Sequence, residues 1–216
     1  LTQKIDFDYK KETKMRRWLC HDKLSVRFAT LFGLSLALFF LLWAFSYAFL
    51  PEGIMRGRSG AALLAGDTSA GSFLGEFLRI FAINLIVGAG LVVLANRVLL
   101  VNGYPLGYLP VLIQAGMYAI ILGTNSFSIP LPARMGPSLT VFERSGLYEI
   151  AAYALLATAT SRIATSKARN LFTRRSEPVE PKPNFWRETN LSGVVISLLI
   201  LAAANAWEAY MIVNLP

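Results

Sequence analysis

Residues 107–129 contain no Asp, Glu, Lys, Arg or His. A helix needs about 20 predominantly apolar residues to cross the roughly 30 Å hydrocarbon core of a bilayer, so an uncharged run of this length predicts a membrane span. It lies inside a longer apolar region, residues 77–163, interrupted by Asn102-Gly103-Tyr104-Pro105-Leu106-Gly107 and Arg144-Ser145-Gly146-Leu147-Tyr148-Glu149. Those interruptions read as turns between spans. Gly103 and Gly107 stand four apart, and a helical turn there would leave a bare face for close backbone approach. Glu149 falls inside the next apolar run, where a carboxylate is costly without a partner or a polar cavity.

The composition agrees. The 216 residues are 55% hydrophobic and 16% charged, against roughly 25% charged for an ordinary soluble domain. The expected fold is an all-α polytopic membrane bundle of about five transmembrane helices. Its parts are a basic arm (1–27), a membrane domain (28–163), a basic loop (164–190) whose middle, residues 177–183, is a proline-spaced extended linker without helix or sheet character, and a final span (191–216). Pro51-Glu52-Gly53 ends the first span. Ser72 opens the second, which runs to residue 101. The fourth, residues 147–163, is short for a free crossing and should either pack inside the bundle or be continued by residues 138–146.

Net charge is +8, and its distribution orients the chain. With the N-terminus cytoplasmic, sixteen of the 21 Lys and Arg fall on the inner side, leaving Arg56, Arg58, Arg79, Arg134 and Arg144 outside. That bias follows the positive-inside rule and suits contact with anionic lipid at the inner (cell) membrane. A nucleic-acid interface needs basic residues gathered on one soluble face. Here they are divided among apolar spans, so no nucleic-acid partner is expected.

The chemistry available is sparse. Cys20 is the only cysteine and His21 the only histidine, which excludes an internal disulfide, a Ser-His pair inside the spans and a His-rich zinc helix. No catalytic residue, cofactor or metal ligand is expected, and the chain reads as a non-enzyme. Arg97 reads as an anchor at the inner interface. Asn190-Leu191-Ser192 matches a glycosylation acceptor but abuts a span on the inner side. Glu76, Arg79, Arg144, Glu149 and Glu208 all fall near the outer ends of spans, where one cluster of ion pairs would fix the bundle. Within it, Arg79 is the expected partner of Glu149.

Three segments carry a resemblance: Phe77-Leu78-Arg79-Ile80-Phe81-Ala82-Ile83-Asn84-Leu85, then Asn102-Gly103-Tyr104-Pro105-Leu106-Gly107, then Gly146-Leu147-Tyr148-Glu149-Ile150-Ala151-Ala152. In order and spacing they resemble the stage II sporulation protein M family, multispanning bacterial and archaeal membrane proteins. The family's namesake acts in a membrane complex that holds cell-wall hydrolases. The family usually has Pro-His before the glycine of the last segment, where this chain has Arg144-Ser145. The resemblance covers residues 77–163 and implies a scaffold or accessory subunit with other integral membrane proteins as partners. The structural or interaction candidates are Arg79, Asn84, Asn102, Gly103, Gly107, Arg144, Gly146, Glu149 and Glu208. The alternative is a transport component, with Glu149 lining a pathway for an ion or small solute.

Overall fold

A computed structural model describes residues 14–58, 70–127, 130–170 and 176–214. A short helix α1 (Lys14–Leu19) precedes α2 (Leu24–Phe49). One stripe of α2, Arg27, Leu31, Ser35, Phe39, Trp43 and Ser46, is buried at spacings of three and four, as expected when one helix face meets the protein. α2 stops at Pro51, which cannot continue it. α3 (Phe73–Val98) starts at Ser72, whose Oγ accepts the backbone N–H of Gly75 at 3.2 Å, an N-cap that pairs an otherwise orphaned donor. Inside α3, Asn84–Ala89 winds as one π-helical segment.

α4 (Tyr108–Gly123) and α5 (Gly146–Ala159) follow, joined by a loop containing a 3-10 turn, Leu139–Glu143. A four-residue α6 (Phe185–Glu188) leads to α7 (Leu191–Asn214). Three of these helices, α2, α3 and α7, are long and apolar enough to cross a membrane. α4 and α5 have 16 and 14 residues, about 24 and 21 Å at 1.5 Å per residue, less than the roughly 30 Å core. The five-span expectation therefore meets three helices of span length and two short apolar ones. α5 is the most enclosed, with most of its length buried from Gly146 to Ala159. It packs on α7, α2 and α4, while α2 packs along α4 and α3 along α7.

The five apolar helices alternate in direction. At one end the start of α4 meets the end of α1 through Tyr108 Oη to Leu19 O (2.9 Å). At the same end Arg27 of α2 donates to Thr158 O of α5 (3.2 Å), and Asn190 N donates to Ala159 O (3.0 Å). At the other end Gly53 N donates to Thr124 O (2.6 Å), and Trp207 Nε1 of α7 to Glu143 O (2.8 Å). There the Arg134 guanidinium lies among the carbonyls of Ser46, Tyr47, Leu50 and Gly123.

The first end also holds a small sheet, which the sequence reading did not foresee. Strands β1 (Leu99–Val101), β2 (Tyr104–Pro105), β3 (Ser166–Ala168) and β4 (Glu177–Pro178) lie in the order β2-β1-β3-β4. β1 pairs antiparallel with β2 (Val101 opposite Tyr104) and parallel with β3 (Leu99 opposite Ser166), and β3 pairs antiparallel with β4. The linker expected at 177–183 thus begins as a strand, Glu177–Pro178, paired with β3. Ser166–Ala168 is drawn against β1 because the backbone groups after Val98 need partners.

Gly103 also departs from expectation. Asn102 and Gly103 have φ of 50° and 80°, the left-handed pair of a two-residue hairpin turn, so Gly103 is not on a helix face. Gly107 does permit a close approach. Its N–H donates to Asn96 Oδ1 (2.8 Å), and a Cβ there would lie 2.4 Å from that oxygen and 2.6 Å from Val92 O. Asn190 acts as a cap for α7, its Oδ1 accepting Gly193 N at 2.8 Å.

Gly107→Ala should lower thermal stability in detergent by ~1–3 kcal/mol through overpacking. Gly33→Ala, where a Cβ meets nothing within 4 Å, should leave stability unchanged. Equal melting temperatures for Gly107→Ala and the wild type would refute the close-approach assignment.

Candidate functional site

Ser145, Glu149 and Tyr153 are spaced by four and share one face of α5, while Asn205 and Glu208, three apart, share one face of α7. Those faces meet each other and the π segment of α3. Asn84, which opens that segment, donates through Nδ2 to Glu149 Oε1 (3.2 Å) and to Asn205 Oδ1 (2.9 Å). Glu149 and Glu208 lie within electrostatic reach of each other where α5 packs on α7, and Ser145 Oγ donates to Glu208 Oε2 (3.4 Å). Tyr153 Oη donates to Asn84 O (3.3 Å). Asn205 is fully buried (0% exposed). Glu149, Glu208 and Asn84 are partly buried.

Two glycines make room for the aromatic rings that wall this cluster. A Cβ at Gly146 would lie 2.3 Å from Cζ of Tyr118 on α4, and one at Gly88 would lie 2.4 Å from Tyr153 Oη. The π segment brings Gly88 under the tyrosine and offers the Asn84 carbonyl to its hydroxyl. Such insertions recur at functional sites because they re-aim side chains and carbonyls within a helix.

The structure brings together four of the nine candidates, Asn84, Gly146, Glu149 and Glu208. Arg144 lies just before α5, within electrostatic reach of Tyr118. Arg79 forms an ion pair with Glu76 one turn earlier on α3, and Glu76 also accepts Ala70 N (2.8 Å). The expected Arg79–Glu149 pair is therefore corrected: Arg79 finds its carboxylate at i−3 on its own helix, and Glu149 accepts from Asn84. Asn102, Gly103 and Gly107 lie at the opposite, sheet end. Sequence reasoning missed Asn205, Ser145, Tyr118 and Tyr153. Asn205 left a signal, as an amide three residues before Glu208 in an otherwise uncharged span.

Among the described residues no group of three or more His, Cys, Asp or Glu is placed to hold a metal. The site offers two carboxyls, two amides, two phenols and the Ser145 hydroxyl, a set suited to hydrogen bonding. No protein-family model, curated protein or solved structure matches the chain.

Gly88→Ala should destabilise the bundle, and Tyr153→Phe in that background should restore part of the loss, because the hydroxyl is the nearest obstacle. Thermal melts of the single and double variants would check this. A double variant less stable than Gly88→Ala alone would count against it.

Proposed function

We propose that this chain is a non-enzymatic integral membrane subunit that packs against other transmembrane helices in a larger assembly. The supporting observation is the outward face of α2. Ser25, Ala29, Gly33 and Ala37, every fourth residue, are all exposed. Among the described residues, and apart from its own helix backbone, nothing comes within 4 Å of a Cβ placed on Gly33. Small residues repeated at this spacing let a second helix approach closely, where van der Waals contact drives association in lipid. The outward face of α3 is different: Ile86, Val87, Leu91, Leu94 and Val98 are exposed there, bulky side chains that suit lipid tails.

The scaffold role implied by the resemblance to the stage II sporulation protein M family agrees with this face. We place the N-terminus and the small sheet in the cytoplasm, with five spans and an outer C-terminus, in the cell (inner) membrane. The alternating helices and the sixteen-to-five division of Lys and Arg both support that topology. The basic segments near the sheet would then face anionic lipid. A second reading, the membrane component of a transporter, is favoured by one observation: Glu149 and Glu208 lie side by side within the bundle.

Gly33→Leu should reduce the native mass of the complex isolated in mild detergent while leaving the melt of the chain itself unchanged. A wild-type protein that runs as a lone chain, or a variant complex of undiminished mass, would refute the subunit reading. For topology, in a Cys20→Ser background, Ser138→Cys should react with an impermeant thiol reagent in intact cells and Ser176→Cys should not. The reverse pattern would invert the orientation.

A further inference from the structure

We infer that an aminophospholipid docks in the groove where the 3-10 turn meets α5 and α7, its acyl chain among Phe142, Tyr148 and Trp207 and its ammonium on Glu143. The groove has a volume of about 530 Å³, and apart from Glu143 its lining is aliphatic and aromatic. Sites of that size and character hold small apolar ligands.

The walls are built to present hydrocarbon. Tyr148 Oη donates to Phe142 O (2.9 Å) and Trp207 Nε1 to Glu143 O (2.8 Å), so the polar atoms of both rings are spent on the same turn. Trp207 is also stacked on Tyr210, with ring centroids 5.6 Å apart. Phe142, Tyr148 and Trp207 nevertheless remain nearly half exposed, which leaves an apolar cleft open at the bundle surface. Trp and Tyr gather at the membrane interface, and this sets the cleft at the depth where acyl chains meet their headgroups. A second helix is a poor occupant, because the protruding rings hold its backbone away and close helix contact needs small residues. A flexible, unbranched acyl chain passes between the rings and reaches Ala203 and Ala204 beneath them.

The headgroup is selected by charge. Glu143 is the one charged residue lining the groove, and it is exposed. Among the described residues its carboxylate has no ion pair and no hydrogen bond. A carboxylate accepts hydrogen bonds, and a primary ammonium offers it three donors together with the opposite charge. A quaternary ammonium offers charge without donors, and an anionic headgroup is repelled. Arg144, the next residue, is not part of the lining and lies within electrostatic reach of Tyr118 on α4. The lipid preference here is thus opposite to the one expected at the basic, sheet end of the molecule.

Quenching of Trp207 fluorescence in vesicles reads this groove alone. The full chain carries Trp18→Phe and Trp186→Phe, both at exposed positions, and Trp43 is fully buried. Phosphatidylcholine vesicles contain, at equal mole fraction, phosphatidylethanolamine, phosphatidylcholine or phosphatidylglycerol brominated on the same acyl carbons. The ethanolamine lipid should quench severalfold more strongly than the other two. Glu143→Gln should level the three, and Ala203→Phe, which fills the groove from an exposed position, should bring all three to the weaker level. Equal quenching by the three lipids before either change would overturn the proposal, whether or not the variants fold. So would stronger quenching by the glycerol or choline lipid, or quenching by none, as when a second helix covers the groove. A preference that survives Glu143→Gln or Ala203→Phe would overturn it too.

Discussion

Two apolar helices shorter than the hydrocarbon core of a bilayer end inside apolar surroundings, where their terminal peptide groups need partners, and the rest of the bundle is arranged around pairing them. A peptide group buried there without a hydrogen bond costs roughly 2–7 kcal/mol. Asn96, fully buried near the end of α3, serves two helix ends at once. Its Oδ1 accepts Gly107 N before the first turn of α4, and its Nδ2 donates to Ala157 O and Thr160 Oγ1 at the end of α5, both at 2.8 Å. Arg27 and Asn190 N supply further donors to the end of α5, at Thr158 and Ala159. At the far end of α4, Arg134 donates to Gly123 O and Gly53 N to Thr124 O. These polar side chains lie where regular helix cannot pair its own backbone.

The same constraint explains how a polar cluster survives between α3, α5 and α7. Because α5 starts well inside the bundle, its first turn brings Ser145 and Glu149 against α7 rather than into a solvent-facing loop. The π segment of α3 then supplies what a regular helix would not: a carbonyl for Tyr153 and an amide, Asn84, that bridges Glu149 and Asn205. Gly88 and Gly146 are small because the rings of Tyr153 and Tyr118 occupy the space beside them. Two carboxyls side by side are a poor means of stabilising a fold, since each disfavours the charge of the other.

Hydropathy and punctuation made the long helices legible. Pro51 ends α2 and Ser72 caps α3 where the sequence places those boundaries. The limits of α4 were not legible, because no charge or proline marks its exit. It stops at Gly123, and Asn125 takes a left-handed φ of 50°. The end of α3 was also overrun: residues 99–101 are apolar and continue the hydropathy of the helix, yet pair as a strand with Ser166–Ala168. Only that long-range pairing distinguishes the two states. Asn102-Gly103 did carry a local hairpin signal, outweighed by the apolar runs on either side. In the candidate site the carboxyls stood out as charges within apolar spans, and among the partners missed only Asn205, an amide close to Glu208, left a signal. Ser145 and the two tyrosines are ordinary in composition, and their role comes from α7 and α4 being set against α5.

The account rests on Asn96 serving two helix ends together, and hydrogen exchange followed by mass spectrometry on Asn96→Leu tests it most directly. Loss of both sets of bonds should speed exchange at the first turn of α4 and the last turn of α5 in the same variant, leaving the middle of α2 protected. Unchanged protection at both turns, or loss at one turn alone, would contradict it.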